Sequence, residues 1–447
     1  MRQFPPDRRQ RREQEMTALR RIAHRGYTQI FHSYPALGWI AVAALFGQVA
    51  NSSVSSFSLP FYVLYDLHQP GRVLGFLASS FLFVETLLKL PFGHLSDRYG
   101  RRPFVVVGLS ALLFTPLVIL LVPTHAFIAV PALIYVVLLP LRMIGGAGSA
   151  AAWPPLYAAV ADRVPRKERG TGMAALNSAY IGGVALGPAL AGLVSNLWRV
   201  TLAGKTPFLM ASVAVILAAL SARKLPPGVA PAEERSAQGA LPSIGKIAVI
   251  VVITITEMFA TATLGPYLAL FVHRVTDMSR STVGFFLLLI GVPALLVGIP
   301  IGRLVDRLPK RHVRQLSLIM SAVGMWVASF SYSVPMLTIS GLTVVLGFLF
   351  GLPAWLALIS DLVPQGRAGR IMGIMATAEG VGSFLGPLTG GYLWDVTIRG
   401  PFYASAGMLT IGALTAVLFV GRDWDRKAPS AGKSDHTSEG SHAPPAL

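Results

Sequence analysis

The feature that most constrains this chain is a succession of long apolar runs separated by short polar breaks. The runs cover approximately residues 36–64, 74–95, 103–123, 127–160, 170–196 and 207–222, and then 246–272, 282–302, 314–332, 335–360, 370–394 and 401–421. A helix needs about 20 apolar residues to cross the hydrocarbon of a bilayer, and most of these runs are long enough. Composition points the same way, with 53% of residues hydrophobic and 13% charged, where soluble domains carry about 25% charged residues. A chain so poor in charge cannot cover a water-facing surface, so lipid is its main solvent. The 44 glycines and 32 prolines would break soluble helices. In membrane helices small residues let backbones approach, and neighbours re-satisfy the freed backbone groups. With no cysteine in the chain, disulfides, thiolate metal sites and cysteine nucleophiles are excluded.

The polar segments divide the chain. Residues 1–35 form a basic tail that lacks the apolar core and cleavage site of a secretory signal. Residues 36–222 hold the first six runs, 223–245 form a Pro- and Glu-containing linker, and 246–421 hold the second six. Residues 422–447, rich in Ser, Pro, Gly, Lys and Asp, have the composition of a disordered tail. An even number of spans puts both termini on one side. Of 38 lysines and arginines, all but eight fall in the tails, linker and loops of that side, and six of those eight fall opposite, which makes the terminal side cytoplasmic. This asymmetry accounts for the net charge of +18 without a nucleic-acid partner.

The two sets of runs repeat one another. Gly93-His94-Leu95-Ser96-Asp97-Arg98-Tyr99-Gly100-Arg101-Arg102 lies between the second and third runs, and Gly302-Arg303-Leu304-Val305-Asp306-Arg307-Leu308-Pro309-Lys310-Arg311 lies between the eighth and ninth. Gly183, Gly187, Pro188, Ala191 and Gly192 are echoed by Gly382, Gly386, Pro387, Gly390 and Gly391 at one constant offset. Asp162-Arg163-Val164-Pro165 is echoed by Asp361-Leu362-Val363-Pro364 at that same offset, and Pro207-Phe208 by Pro401-Phe402. Two parallel six-helix repeats are a transporter design whose site lies at the midplane between them.

These residues resemble the major facilitator superfamily over about residues 36–421. The loop Gly93 to Arg102 is similar to that family's signature between helices 2 and 3, and Arg142-x-x-x-Gly146-x-Gly148 to a second family motif. The Gly187-Pro188 segment resembles the motif of proton-coupled drug antiporters. The resemblance implies an all-α membrane protein with twelve transmembrane helices in two pseudo-symmetric six-helix bundles. It also implies a role for Arg142 in the proton path, and for the loop as a conformational latch at the cytoplasmic side. In that latch, made of Gly93, Asp97, Arg98, Gly100, Arg101 and Arg102, Gly93 gives a close helix approach. Asp97 pairs with Arg101 and faces the start of helix 11 near Gly369 to Ile371. Asp306 and Arg307 form a weaker second latch.

Charges inside spans are costly and mark function. Glu85, Lys89, Arg142, Glu257 and Glu379 are such charges. A carboxyl in a low-dielectric cavity can exchange a proton near neutral pH, which suits exchange against a cationic substrate. Glu85 and Lys89 stand at i, i+4 and can simply pair. Glu257 has no basic partner on its own helix and is the first candidate for proton binding. Matching Pro60 with Pro266 sets Glu257 opposite Asn51, with both facing the cavity. Gln48, Tyr180, Trp153, Trp355 and Phe350 are further wall candidates, and aromatic rings suit cationic or apolar compounds. Gly183, Gly187, Pro188, Gly382, Gly386 and Pro387 serve helix packing or hinging.

No nucleotide fingerprint or Walker sequence is present, and the nine histidines have no metal-ligand spacing. An enzyme, a metal and a cofactor are not expected. The expected partners are a small-molecule substrate, protons and the lipid bilayer, with the protein a monomer. The leading reading is proton-coupled efflux by alternating access. A metabolite importer and a non-transporting sensor on the same fold stay open.

Overall fold

The computed structural model describes residues 31–165, 168–196, 204–226, 243–291, 308–362, 368–421 and 424. They are almost entirely helical. The first six helices are α1 (Pro35–Asp66), α2 (Gly71–Tyr99), α3 (Arg101–Leu121), α4 (Ile134–Arg163), α5 (Arg169–Val194) and α6 (Thr206–Ala222). The second six are α7 (Ile244–Thr276), α8 (Arg280–Gly291), α9 (Lys310–Ser329), α10 (Val334–Leu362), α11 (Ala368–Val396) and α12 (Gly400–Phe419). Nine helices among the described residues are long and apolar enough to cross a membrane, and α6 and α8 are shorter apolar helices. The remaining one, α9, opens on Lys310, Arg311 and Arg314, which dilute its hydropathy. The fourth run differs from its expected extent. Val130 precedes Pro131 and leaves the helical region, which detaches a short helix over Thr124–Ala129 from α4.

The helices pack through small residues. A Cβ on Gly183 would lie 2.9 Å from the Leu45 carbonyl oxygen and one on Gly187 2.6 Å from that of Val49, so α5 lies backbone to backbone on α1. In the second set, Gly382 and Gly386 place α11 on α7 in the same way, at 2.5 Å from the Ile255 oxygen and 2.6 Å from the Phe259 oxygen. This crossing corrects the register read from the prolines. It matches Leu45 and Val49 with Ile255 and Phe259, so Glu257 falls opposite Gly47, one helical turn from Asn51. Pro60 and Pro266 are not equivalent. Pro60 sits between two π-helical stretches of α1, Val54–Ser58 and Tyr62–Asp66, where Ser58 Oγ donates to the Ser53 carbonyl at 2.9 Å.

A second device is also duplicated. Just before α6, Lys205 Nζ donates to the carbonyls of Ile119 and Val122, both at 2.6 Å, at the end of α3. Just before α12, Arg399 donates to the carbonyls of Ser329 and Ser331 at the end of α9. Each cation satisfies orphan carbonyls at a helix C-terminus. Burial pushes the Lys205 ammonium below its ordinary value, opposed by the charge of Asp66.

The apolar cores show how the two sets meet. One core draws on both, with Phe57, Tyr62 and Leu74 packed in the same cluster as Tyr267, Phe271 and Trp394. It lies on the side opposite the start of α1. On the side where α1 begins, each set has a core of its own. Leu37, Ile40, Leu109 and Leu156 belong to one, and Ile250, Leu318, Trp355 and Trp424 to the other.

Candidate functional site

Polar contacts between the sets gather on the far side. Arg280 donates to Asp66 at 2.8 and 3.3 Å. The Asp395 carboxylate accepts from the backbone N–H of Gly71 at 2.5 Å and of Arg72 at 3.2 Å, and Tyr267 Oη donates to the Gly71 carbonyl at 3.1 Å. A Cβ on Gly192 or Gly284 would meet the backbone of the other, so α5 and α8 touch directly. Nearer the middle, Ser79 Oγ donates to the Phe384 carbonyl at 2.8 Å, and Gly380 lies against Thr86. Further along α2, a Cβ on Gly93 would have no atom within 4 Å. The expected close approach at Gly93 is therefore absent among the described residues.

Between these levels lies a cavity of about 200 Å³. Asn51, Ser55, Phe81, Glu85, Arg142, Trp153 and Tyr180 line it from the first set, and Ala262, Gly265, Pro266 and Pro387 from the second. Gly146 lies against the Phe81 carbonyl and Gly148 against that of Gly108. These glycines hold α4 to α2 and α3, and they set Arg142 one turn away. Arg142 is buried; its Nη2 donates to Ser55 Oγ at 3.1 Å, its guanidinium stands 4.4 Å from the Phe81 ring centre, and its Nε has no hydrogen-bond partner among the described residues. Glu85 pairs with Lys89 at 3.1 Å and lies within electrostatic reach of Arg142 and Tyr180. Glu379 on α11 is within reach of Lys89, Tyr180 and Glu257. Residues from α2, α4 and α5 thus form one polar cluster in an aromatic wall, and Glu379 of α11 stands off the cavity lining.

Glu257 does not line this cavity. It faces into the second set, where Arg314 of α9 donates Nη2 to Oε2 at 2.5 Å and Nη1 to Oε1 at 3.1 Å. Along the chain Arg314 falls with the basic residues between the eighth and ninth runs, all of them counted to the cytoplasmic side. In the structure it is fully buried, with its guanidinium 4.8 Å from the centre of the Trp355 ring. Trp355 therefore serves this pair rather than the cavity wall, and it stacks on the buried Trp424. Phe350 packs beside Val313 and Ala354, and Gln48 lies buried beneath Gly183. Only a basic residue four positions past Lys310, at helical spacing inside an apolar run, hinted at Arg314.

The loop between α2 and α3 is built from within the first set. Gly100 has φ 96°, a backbone region that favours glycine, which explains its place in the loop. Arg101 pairs with Asp97 as expected, and also takes Ser96 Oγ at 3.0 Å and Asp162 Oδ2 at 3.2 Å. Asp162, at the end of α4, is a partner that the sequence reading did not single out. Arg98 stacks beside Tyr99, and Arg102 lies in the first turn of α3. Among the described residues Asp97 has no contact with α11, and its side chain is 59% exposed. The side chains of Gly369 and Arg370, like Asp306 and Arg307, lie outside the described residues.

The Major Facilitator Superfamily model matches residues 40–256 and again 247–446. The chain belongs to this superfamily. Multidrug resistance protein 2 of Bacillus subtilis is 24% identical over 364 residues, covering 77% of this chain and 86% of that one. Quinolone resistance protein NorA of Staphylococcus aureus is 23% identical over 371 residues, covering 80% and 90%. Among solved structures, a D-xylose–proton symporter superposes with a TM-score of 0.69 at 16% identity, covering 90% of this chain and 100% of the other. A bacterial homologue of the lysosomal transporter Spinster, inward-facing and occupied, superposes with a TM-score of 0.70 at 16% identity, covering 90% and 99%. These superpositions support the fold, and as a member of the superfamily the chain is a multi-pass membrane transporter.

Proposed function

We propose that this major facilitator transporter exports small amphipathic compounds in exchange for protons. The observation that carries the reading is the cavity between the two helix sets, where Glu85 and Arg142 stand in a wall of Phe81, Trp153 and Tyr180. The aromatic faces suit apolar or cationic compounds, and the carboxylates offer an exchangeable proton site. The drug-resistance relatives and the Gly187-Pro188 segment of α5 support export. Lysine and arginine placement puts both termini in the cytoplasm of a bacterial-type plasma membrane. In that orientation the contacts of Asp66, Asp395 and Tyr267 close the outer side. Substrate enters from the cytoplasm, the sets rock about the cavity, and the far-side contacts of Asp66, Asp395 and Tyr267 open. The loop around Asp97 and Arg101 then closes on α11 as the inner latch, and Gly93 becomes a close approach.

Transport into everted vesicles under an imposed pH gradient tests the reading. A gradient acid inside the vesicles should drive accumulation of a cationic dye, and Glu85→Gln should remove that drive by ~10-fold or more while the protein still inserts. Accumulation in wild type that ignores the gradient would refute it.

A further inference from the structure

We propose that Arg314 withdraws Glu257 from proton exchange, leaving the exchanging proton to Glu85 in the cavity and to Glu379 near Lys89. This inference rests on the proton-coupled reading above. A carboxylate on the same helix as the cavity-lining Ala262 would ordinarily be the first proton carrier to consider. The geometry removes it. One guanidinium occupies both oxygens of Glu257, at 2.5 and 3.1 Å. Arg314 has no exposed surface, and the Glu257 side chain is 7% exposed. Trp355 covers the guanidinium, and a Cβ on Gly351 would lie 3.0 Å from Nη1, so α10 is shaped to admit it. Glu379 of α11 is also within electrostatic reach of Glu257. The neighbouring α12 presents Gly412 against Thr256 and carries no charge. A proton placed on Glu257 would leave a buried cation without its counter-ion. Removing one member of a buried pair is the costly operation, while removing both is close to neutral.

The Glu85 pair is built the other way. Its partner Lys89 is a single ammonium on a flexible stem, and its side chain is 46% exposed. Lysine can turn to water and free the carboxylate, whereas the planar fork of arginine holds two oxygens at once. Arg142 of α4 and Tyr180 of α5 lie within electrostatic reach of Glu85, and Glu379 of α11 lies within reach of its partner Lys89. The exchangeable pair and the fixed pair therefore differ in their cation as well as their access.

Two experiments test the inference. The first compares gradient-driven dye accumulation, and its dependence on pH, in wild type, Glu257→Gln/Arg314→Gln and Glu85→Gln. The double variant should keep the pH profile and stay within about twofold of wild type, and Glu85→Gln should fall ~10-fold or more. A double variant that inserts normally but loses gradient drive overturns the inference. The second needs no variant. A hydrophobic carbodiimide, which attacks protonated buried carboxyls, is applied to the wild-type transporter at falling pH and its adducts are mapped by peptide mass. Adducts should grow on Glu85 or Glu379 and stay absent from Glu257. Growth of an adduct on Glu257 overturns the inference even if the double variant fails to insert. Gradient-independent transport by wild type refutes proton coupling itself and is read from the same vesicles.

Discussion

The two helix sets share a skeleton but not a charge pattern. In both, glycines on the fifth helix of the set lie against backbone atoms of the first: Gly183 and Gly187 on α1, and Gly382 and Gly386 on α7. In both, a cation just before the sixth helix caps the third: Lys205 on α3 and Arg399 on α9. The position of Glu257 in the second set is held by Gly47 in the first, against Leu109 of α3. The loop repeat pairs Arg314 with Val105, which is buried and apolar. The first set thus spends its buried charge on the cavity, and the second locks its charge in an internal pair. Duplication conserved what sets helix distance, while the chemistry diverged because each charge depends only on its local partners.

The comparison can be broken in order of expected effect. Arg314→Met alone leaves the Glu257 carboxylate uncompensated and should cost about 3–5 kcal/mol of stability, read from thermal unfolding in detergent. A change as mild as that of Val105→Ala would show that the second set holds no special charge lock. Gly187→Val and Gly386→Val each drive a side chain into a facing backbone and should each cost about 1–3 kcal/mol or more by overpacking. Unequal losses would break the skeleton's symmetry. Lys205→Met and Arg399→Met each orphan two carbonyls at a helix end and should each lose about 1–3 kcal/mol in the same assay. Gly93→Ala enters open space in this conformation and should change stability by no more than about 0.5 kcal/mol. Its transport should nevertheless slow, because the proposed inner latch brings α11 to that point; unaltered transport would remove Gly93 from the latch.

Much of the molecule was legible in the chain. The apolar runs gave the spans, because lipid imposes length and apolarity on anything that crosses it. The glycine repeats marked the two backbone crossings, since only a missing side chain permits that distance. The Asp97–Arg101 pair could be read from i, i+4 spacing. The Pro60–Pro266 match misled, because the π-helical stretches of α1 give Pro60 a setting that Pro266 lacks. Arg314 was misread as a topological charge for a related reason: at the start of a span, a buried arginine and a snorkelling one have the same spacing.

The sequence by itself determined that this is a duplicated helical membrane transporter, and it placed charges within its spans. The tertiary structure decided what the spacing could not. Along the chain Glu85 has a lysine one turn away and Glu257 has no basic neighbour on its helix. One meets a lysine with a route to water beside a cavity, and the other meets a fully buried arginine beneath an indole. A carboxylate's role depends on the groups within a few ångströms of it, and for Glu257 those groups come from helices distant in sequence.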